Sequence, residues 1–363
     1  MVNKLLPVFF LGFLVACSSP NQESETPLLP VDPPEISLPD SIEDPFYQEQ
    51  WYLHFDADFY NLYNIDPDAH IHAADYLIQH TGIGIKVAII DDGLDLSHED
   101  LQTAVTRTIN VDGGSDVSHN SFDDFHGTAI TGILGARSNS LGIKGVASNA
   151  ELFFLKYSSN ISDSELIRLF YKAEEWGADV INNSWGTGNV SQALKDTIVE
   201  LSRHGRQGKG INIVFAAGND SQDMGNDEAS IPEVISVAST DEDNLRAVYS
   251  DFGRELDVVA PGGYTLGMTT LDPMGDKGIA SIDENYLLFD DAEGFIGTST
   301  SAPIVSGVIA LLLEINPELT STQVSDLLHN TADKVGTLDY VGGRNNYYGY
   351  GKVNLSKAIE ALN

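Results

Sequence analysis

Six short apolar runs, set apart by segments of helical periodicity, restrict the fold more than any other feature of this chain. They are KVAIID (86–91), ELFFLKY (151–157), DVINNSW (179–185), INIVFAAG (211–218), EVISVAS (233–239) and ELDVVAPG (255–262). Each is nearly continuous in β-branched and aromatic residues, as in strands buried on both faces. Between them, 126–137, 164–176 and 190–207 carry apolar residues at helical spacing, and 299–315, 321–332 and 354–362 continue the pattern. Strands alternating with helices predict an α/β fold: a mostly parallel central sheet flanked by helices in three layers. With 42% apolar residues the chain can bury such a core, and 45–363 reads as one domain.

In an open parallel sheet, reactive groups gather beyond the C-terminal ends of the strands. VAIIDDGLDLSHEDL (87–101) ends a buried strand in acids, and FHGTAITGILGA (125–136) puts His126 at the head of a small-residue helix. GFIGTSTSAPIVSGVIALLLEINP (294–317) places four hydroxyls, Thr298 to Ser301, where a long apolar helix begins. An acid, a histidine and a serine in this chain order suit acyl transfer. A serine hydroxyl needs a base to take its proton, an imidazole can do so near neutral pH, and a buried carboxylate fixes the imidazole tautomer.

These three stretches together resemble the subtilisin-like serine proteases (peptidase S8), with some phrases closest to the kexin/furin branch. IIDDGLD resembles the aspartate motif, HGTAITG the histidine motif and GTSTSAP the serine motif, and the likeness covers roughly residues 44 to 363. The resemblance implies a subtilisin-like fold and endopeptidase activity on protein or peptide substrates. It assigns the catalytic trio to Asp91, His126 and Ser299, leaving Thr298, Thr300 and Ser301 to packing and capping. FAAGND (215–220) resembles the family's asparagine motif and implies Asn219 as oxyanion donor. NNSWGTG (182–188) resembles the edge that pairs with an extended substrate, through Ser184, Trp185 and Gly186. The resemblance also implies a structural Ca²⁺ held by Asp44, Asp100 and Asn139 with carbonyls near Leu141 and Ile143, hard oxygen donors from separated segments. The acids of NDSQDMGNDEAS (219–230) fit either a basic residue at the cleavage site or a solvated face, and the solvated face is the simpler reading. Departures from the branch are Ala129 in place of a second histidine and no acidic extension after Ser-Trp-Gly. His70 and His72 in DAHIHAAD read as structural or surface residues.

MVNKLLPVFFLGFLVACSS has one lysine, an apolar run too short to span a bilayer, and then Cys17, the chain's only cysteine. LVAC resembles a bacterial lipoprotein box, which implies a signal peptide over 1–16, a lipidated Cys17 and a cell-envelope location, outer membrane from Ser18. Residues 17–44, rich in proline and acid, read as a tether. No inhibitory segment fits between Cys17 and Asp44, which leaves two expectations: the domain folds unaided, with calcium, or it needs a separate chaperone or inhibitor as a partner. The formal charge of −35, from 54 acidic and 19 basic residues, argues against nucleic acid as a partner.

Overall fold

The structure, a computed structural model, describes residues 42–119, 125–158, 161–280, 285–291 and 294–362. The signal peptide, Cys17 and nearly all of the tether lie outside them. Seven parallel strands form the central sheet: β1 (Lys86–Asp91), β2 (Val105–Asn110), β3 (Glu151–Lys156), β4 (Val180–Asn183), β5 (Asn212–Ala216), β6 (Ile235–Thr240) and β7 (Val258–Pro261). Their order across the sheet is β2-β3-β1-β4-β5-β6-β7. A two-stranded antiparallel ribbon joins β8 (Thr270–Leu271) to β9 (Tyr286–Leu287). The helices are α1 (Ala57–Tyr63), α2 (Ala74–Leu77), α3 (His126–Gly135), α4 (Asp163–Glu175), α5 (Gln192–Gly208), α6 (Thr298–Ile315), α7 (Ser321–Thr331) and α8 (Leu355–Glu360).

Alternate residues of each strand feed two separate cores, which makes the molecule three layers deep. Val87, Ile89, Phe154, Val214 and Val237 pack with α3, α6, α7 and α8, whereas Ala88, Ile90, Phe153, Phe215 and Ala238 pack with α4 and α5. Near-continuous apolar strands are the sequence consequence of covering both faces. Helix α6 runs against β4 to β7 and α3, so it is apolar all round. Its composition and length would also suit a membrane span, but most of it is interior to this fold.

The six strands read from the sequence are all present, β1 over its whole apolar run and β3 to β7 each shorter than theirs. Strand β2 was not legible: VTRTIN lies at the sheet edge with Thr106 and Arg107 exposed, so no buried run marks it. Helix α5 ends in a kink, with Arg206 and Gln207 at φ +48° and +59°. The Arg206 side chain holds this turn by bonding Asp179 at 2.9 Å and the Leu319 carbonyl at 3.0 Å.

Candidate active site

Five segments converge beyond the C-terminal edge of the sheet: the end of β1, the start of α3, the loops after β4 and β5, and the start of α6. Asp91, wholly buried at the end of β1, accepts a hydrogen bond from His126 Nδ1 on Oδ1 at 2.7 Å. Its other oxygen, Oδ2, is buried without a partner among the described residues. The neighbouring Asp92 accepts the Gly127 N–H at 2.8 Å, fastening the first turn of α3 and hence His126. This favours an acid at that place, because a helix N-terminus carries partial positive charge. Close approach there also needs glycine: a Cβ on Gly127 would stand 2.3 Å from the Gly93 carbonyl oxygen. Burial disfavours a charged imidazole at His126, yet the Asp91 carboxylate, with Asp92 adding to it, pushes its pKa up to about 9.

Ser299 lies in the first turn of α6. Its Oγ donates to the Ser184 carbonyl at 2.9 Å rather than to His126, and Ser184 Oγ donates to the Ser299 carbonyl at 2.9 Å. The second bond has a sequence cause. Pro303, four residues on, has no N–H to offer that carbonyl, so an outside donor takes the place of the missing helical bond. Asn182 and Ser306 continue the chain, Asn182 Nδ2 donating to Ser184 Oγ at 3.1 Å and Ser306 Oγ to Asn182 Oδ1 at 2.9 Å.

Asn219 follows Gly218 in the loop after β5. Its Oδ1 accepts both the N–H and the hydroxyl of Thr298, at 2.9 and 3.0 Å, which leaves the amide Nδ2 as the free donor end. Nδ2 faces Gly297, whose φ of +137° and lack of a Cβ keep the approach open. Thr298 therefore orients Asn219, a more specific task than the packing role read from sequence. Trp185 Nε1 donates to the Ile90 carbonyl at 2.8 Å and ties the loop after β4 to the end of β1.

The Trp185–Gly186 segment runs between two hollows. One, of about 260 Å³, is lined by Tyr157, Ile161, Leu166 and Trp185. The other, of about 290 Å³, opens beside Ser299 and Asn219 and is lined by Asp220, Asp223, Asp227 and Asp251, with no Lys, Arg or His among its lining residues. The simpler sequence reading, a solvated face, is corrected here: Asp220 and Asp223 are exposed, but Asp227 is half-buried, Glu228 wholly buried, and the loop folds over a cavity. Asp251 at 4% exposure is buried, and its Oδ1 accepts the Asp220 and Gln222 N–H groups at 2.9 and 2.8 Å. Burial, with Asp220 and Asp227 nearby, raises the Asp251 pKa.

The residues read as calcium ligands also come together. Asp44 Oδ1 accepts the N–H groups of Asn139 and Ser140, and Oδ2 accepts the Ser138 hydroxyl at 2.7 Å. Asp100 Oδ2 accepts the Ile143 N–H at 3.0 Å, and Asn139 Oδ1 accepts the Leu141 N–H at 2.9 Å. Asp100 Oδ1 is buried without a partner among the described residues, an orphaned hard donor that suits a cation. Glu99 and Tyr286, bonded to each other at 3.0 Å beside this group, were not read from the sequence. His70 and His72 lie elsewhere, in a hollow of about 780 Å³ with Asp333, Lys352 and Lys357. There Asp333 pairs with His72 at 3.5 Å and with Lys357, which supports the structural reading.

The subtilase family, Peptidase S8, matches residues 82–351. The chain is 34% identical over 319 residues to a "Calcium-dependent protease" of Trichormus variabilis, covering 77% of this chain and 46% of that protein. It is 33% identical over 294 residues to "Subtilisin NAT" of Bacillus subtilis subsp. natto, covering 77% of this chain and 67% of that one. The chain thus spans about half the length of the calcium-dependent protease. Among solved structures, a serine protease of Aeromonas sobria in complex with its chaperone superposes with a TM-score of 0.76 at 22% identity, over 88% of this chain and 67% of that one. A protease from Pseudoalteromonas arctica gives 0.71 at 24% identity, over 89% and 100%. The parallel sheet, the converging segments and the match across most of the folded residues lead to one conclusion: this chain belongs to the subtilase family.

Proposed function

We propose that this protein is a serine endopeptidase that hydrolyses peptide bonds through an acyl-enzyme. The observation that carries the reading is the Asp91–His126 bond at 2.7 Å, with Ser299 at the head of α6 and Asn219 oriented beside it. For attack, the Ser299 hydroxyl turns from the Ser184 carbonyl towards His126 Nε2, which takes its proton and returns it to the leaving amine. Asp91 holds Nδ1–H and stabilises the imidazolium. Asn219 Nδ2 and the Ser299 N–H, which has no intrahelical acceptor in the first turn, bind the oxyanion. An extended peptide lies along Ser184–Gly186, its side chains entering the hollows on either side.

The acid-lined cavity beside Ser299 favours a narrower second reading, in which the enzyme is a processing protease that cuts after basic residues. Asp44, Asp100 and Asn139, with carbonyls near Leu141 and Ile143, would hold a structural Ca²⁺, which would tie the domain's opening segment to the 138–143 loop. A calcium-dependent relative supports this part. Lipidation at Cys17 would hold the enzyme on the cell envelope, at the outer membrane. A separate chaperone belongs to the proposal because an Aeromonas protease of the same fold is known in complex with one.

Fluorophosphonate labelling of the full chain in calcium, with Ser299→Ala alongside, tests the central reading. Label on the parent alone is expected. An unlabelled, folded parent, or equal labelling of Ser299→Ala, overturns it.

A further inference from the structure

The wall of the cavity beside Ser299 is fastened from behind by two adjacent carboxylates. Strand β4 ends at Asn183, and there the chain leaves the sheet. Residues 186–188 are then held by a short turn, Glu228–Ser230, and by Asp227 before it. Both oxygens of Glu228 go to one residue: Oε2 accepts the Thr187 N–H at 2.9 Å, and Oε1 accepts the Thr187 hydroxyl at 2.7 Å. Asp227 Oδ2 accepts the next N–H, that of Gly188, at 2.5 Å. The wall lies flush on this pair, since a Cβ on Gly186 would stand 2.6 Å from Asp227 Oδ1. Further along, the Asn226 side-chain amide donates to Asn189 Oδ1 at 2.9 Å, and the Val190 N–H donates to the Asn226 carbonyl at 2.8 Å.

Glu228 is wholly buried, whereas Asp227 lines the cavity. Among the described residues no cation pairs with Glu228, and a buried carboxylate so placed is costly, so a leucine or methionine would fill the same space more cheaply. What an apolar side chain lacks is an acceptor for the two Thr187 donors, which would otherwise be orphaned behind the wall.

We propose that Glu228 is a positioning residue for substrate: it acts through Thr187 to hold the 186–188 wall in place and so sets how firmly the side chain entering the cavity beside Ser299 is gripped. This rests on the endopeptidase reading above. Glu228 touches no reacting atom, so its loss acts on binding and not on the chemistry of Ser299.

The test compares Glu228→Ala, Glu228→Gln and Thr187→Val in the full chain, in calcium, on a panel of short peptides with Lys, Arg or Leu before the cut bond. In Glu228→Ala, KM is expected to rise about tenfold, the loss of one to two hydrogen bonds, with kcat changed less than about threefold. The fluorophosphonate labelling rate, read with a probe too small to need the wall, is expected to follow kcat rather than KM. Glu228→Gln can accept the Thr187 N–H through Oε1 and donate Nε2–H to its hydroxyl, so KM should stay within about threefold of the parent. Thr187→Val removes one of the two bonds and should raise KM by an intermediate factor.

An unchanged KM in Glu228→Ala overturns the proposal. So does an equal fall in labelling and in kcat/KM, which marks general damage, or a Glu228→Gln as impaired as Glu228→Ala. If Glu228→Ala does not fold, Thr187→Val decides, and a parental KM there sinks the idea. Peptide dissociation constants measured in the Ser299→Ala background repeat the comparison without turnover. Weakened binding there, with an inactive parent, would refute the endopeptidase reading and leave the wall assignment standing.

Discussion

Asparagine at position 91 would separate the charge of the buried carboxylate from its shape. In the parent, burial opposes a proton on His126, and the Asp91 carboxylate at 2.7 Å overrides it, lifting the pKa to about 9. Against an ordinary histidine value of about 6.5, this corresponds to about 3 kcal/mol. Because the folded value lies above the unfolded one, that stability is fully present below about pH 6.5 and is lost as the pH rises through about 9. Unfolding about 300 residues carries roughly 0.6 kcal/mol per degree, so the loss corresponds to a Tm change of about 5 °C. Lys144 and Lys352, pushed down to about 8 by burial, change stability in the opposite sense over part of this range. They are shared by both proteins, so the readout is the difference between Ser299→Ala and Ser299→Ala with Asp91→Asn, melted from about pH 6 to pH 10. The curve with Asp91 intact should fall by about 5 °C relative to the other. With Ser299 intact, fluorophosphonate labelling should rise with pH towards a midpoint near 9, and Asp91→Asn should lower turnover by on the order of 10⁴-fold. Parallel melting curves would refute the coupling between Asp91 and the His126 proton.

Three further outcomes are expected. Asn219→Ala should lower kcat by about 10²–10³-fold with KM within about threefold, the magnitude measured for one oxyanion donor in a subtilisin; an unchanged kcat removes Asn219 from the oxyanion site. Chelating calcium should lower the Tm of Ser299→Ala by about 4 °C at ion concentrations near a hundred times Kd, and Asp100→Asn should abolish the difference between the two conditions. Chelation that leaves the Tm unchanged argues against the site. Labelled palmitate should be incorporated when the full chain is expressed in a bacterial host and should be lost in Cys17→Ser; equal incorporation would exclude this anchor.

The sequence carried the scaffold and the candidate reactive groups because both obey strong local rules. A strand covered on both faces must be apolar along its length, so β1 and β3 to β7 stood out, while β2, half exposed at the edge, obeyed no such rule. Asp91, His126, Asn219 and Ser299 were legible through the motifs around them, and the fold brings their segments to one edge. Harder to see was what positions these groups. Thr298 read as one hydroxyl among four, and nothing in the serine stretch showed that Pro303 leaves the Ser299 carbonyl to be satisfied by Ser184. Glu228 was hidden most fully: Asn-Asp-Glu-Ala-Ser has the composition of a wet loop. Its burial comes from a wall forty residues earlier in the chain, and no periodicity records that.

Helix α6 carries a consequence for divergence. The serine is presented by a rod locked into the interior over nearly its whole length, so its location cannot drift without repacking half the sheet. The 186–190 and 219–228 loops beside it are joined mainly by side-chain acceptors, which single substitutions can rewrite. On the endopeptidase reading, descendants of such a chain can therefore change what they cut long before they change how they cut it.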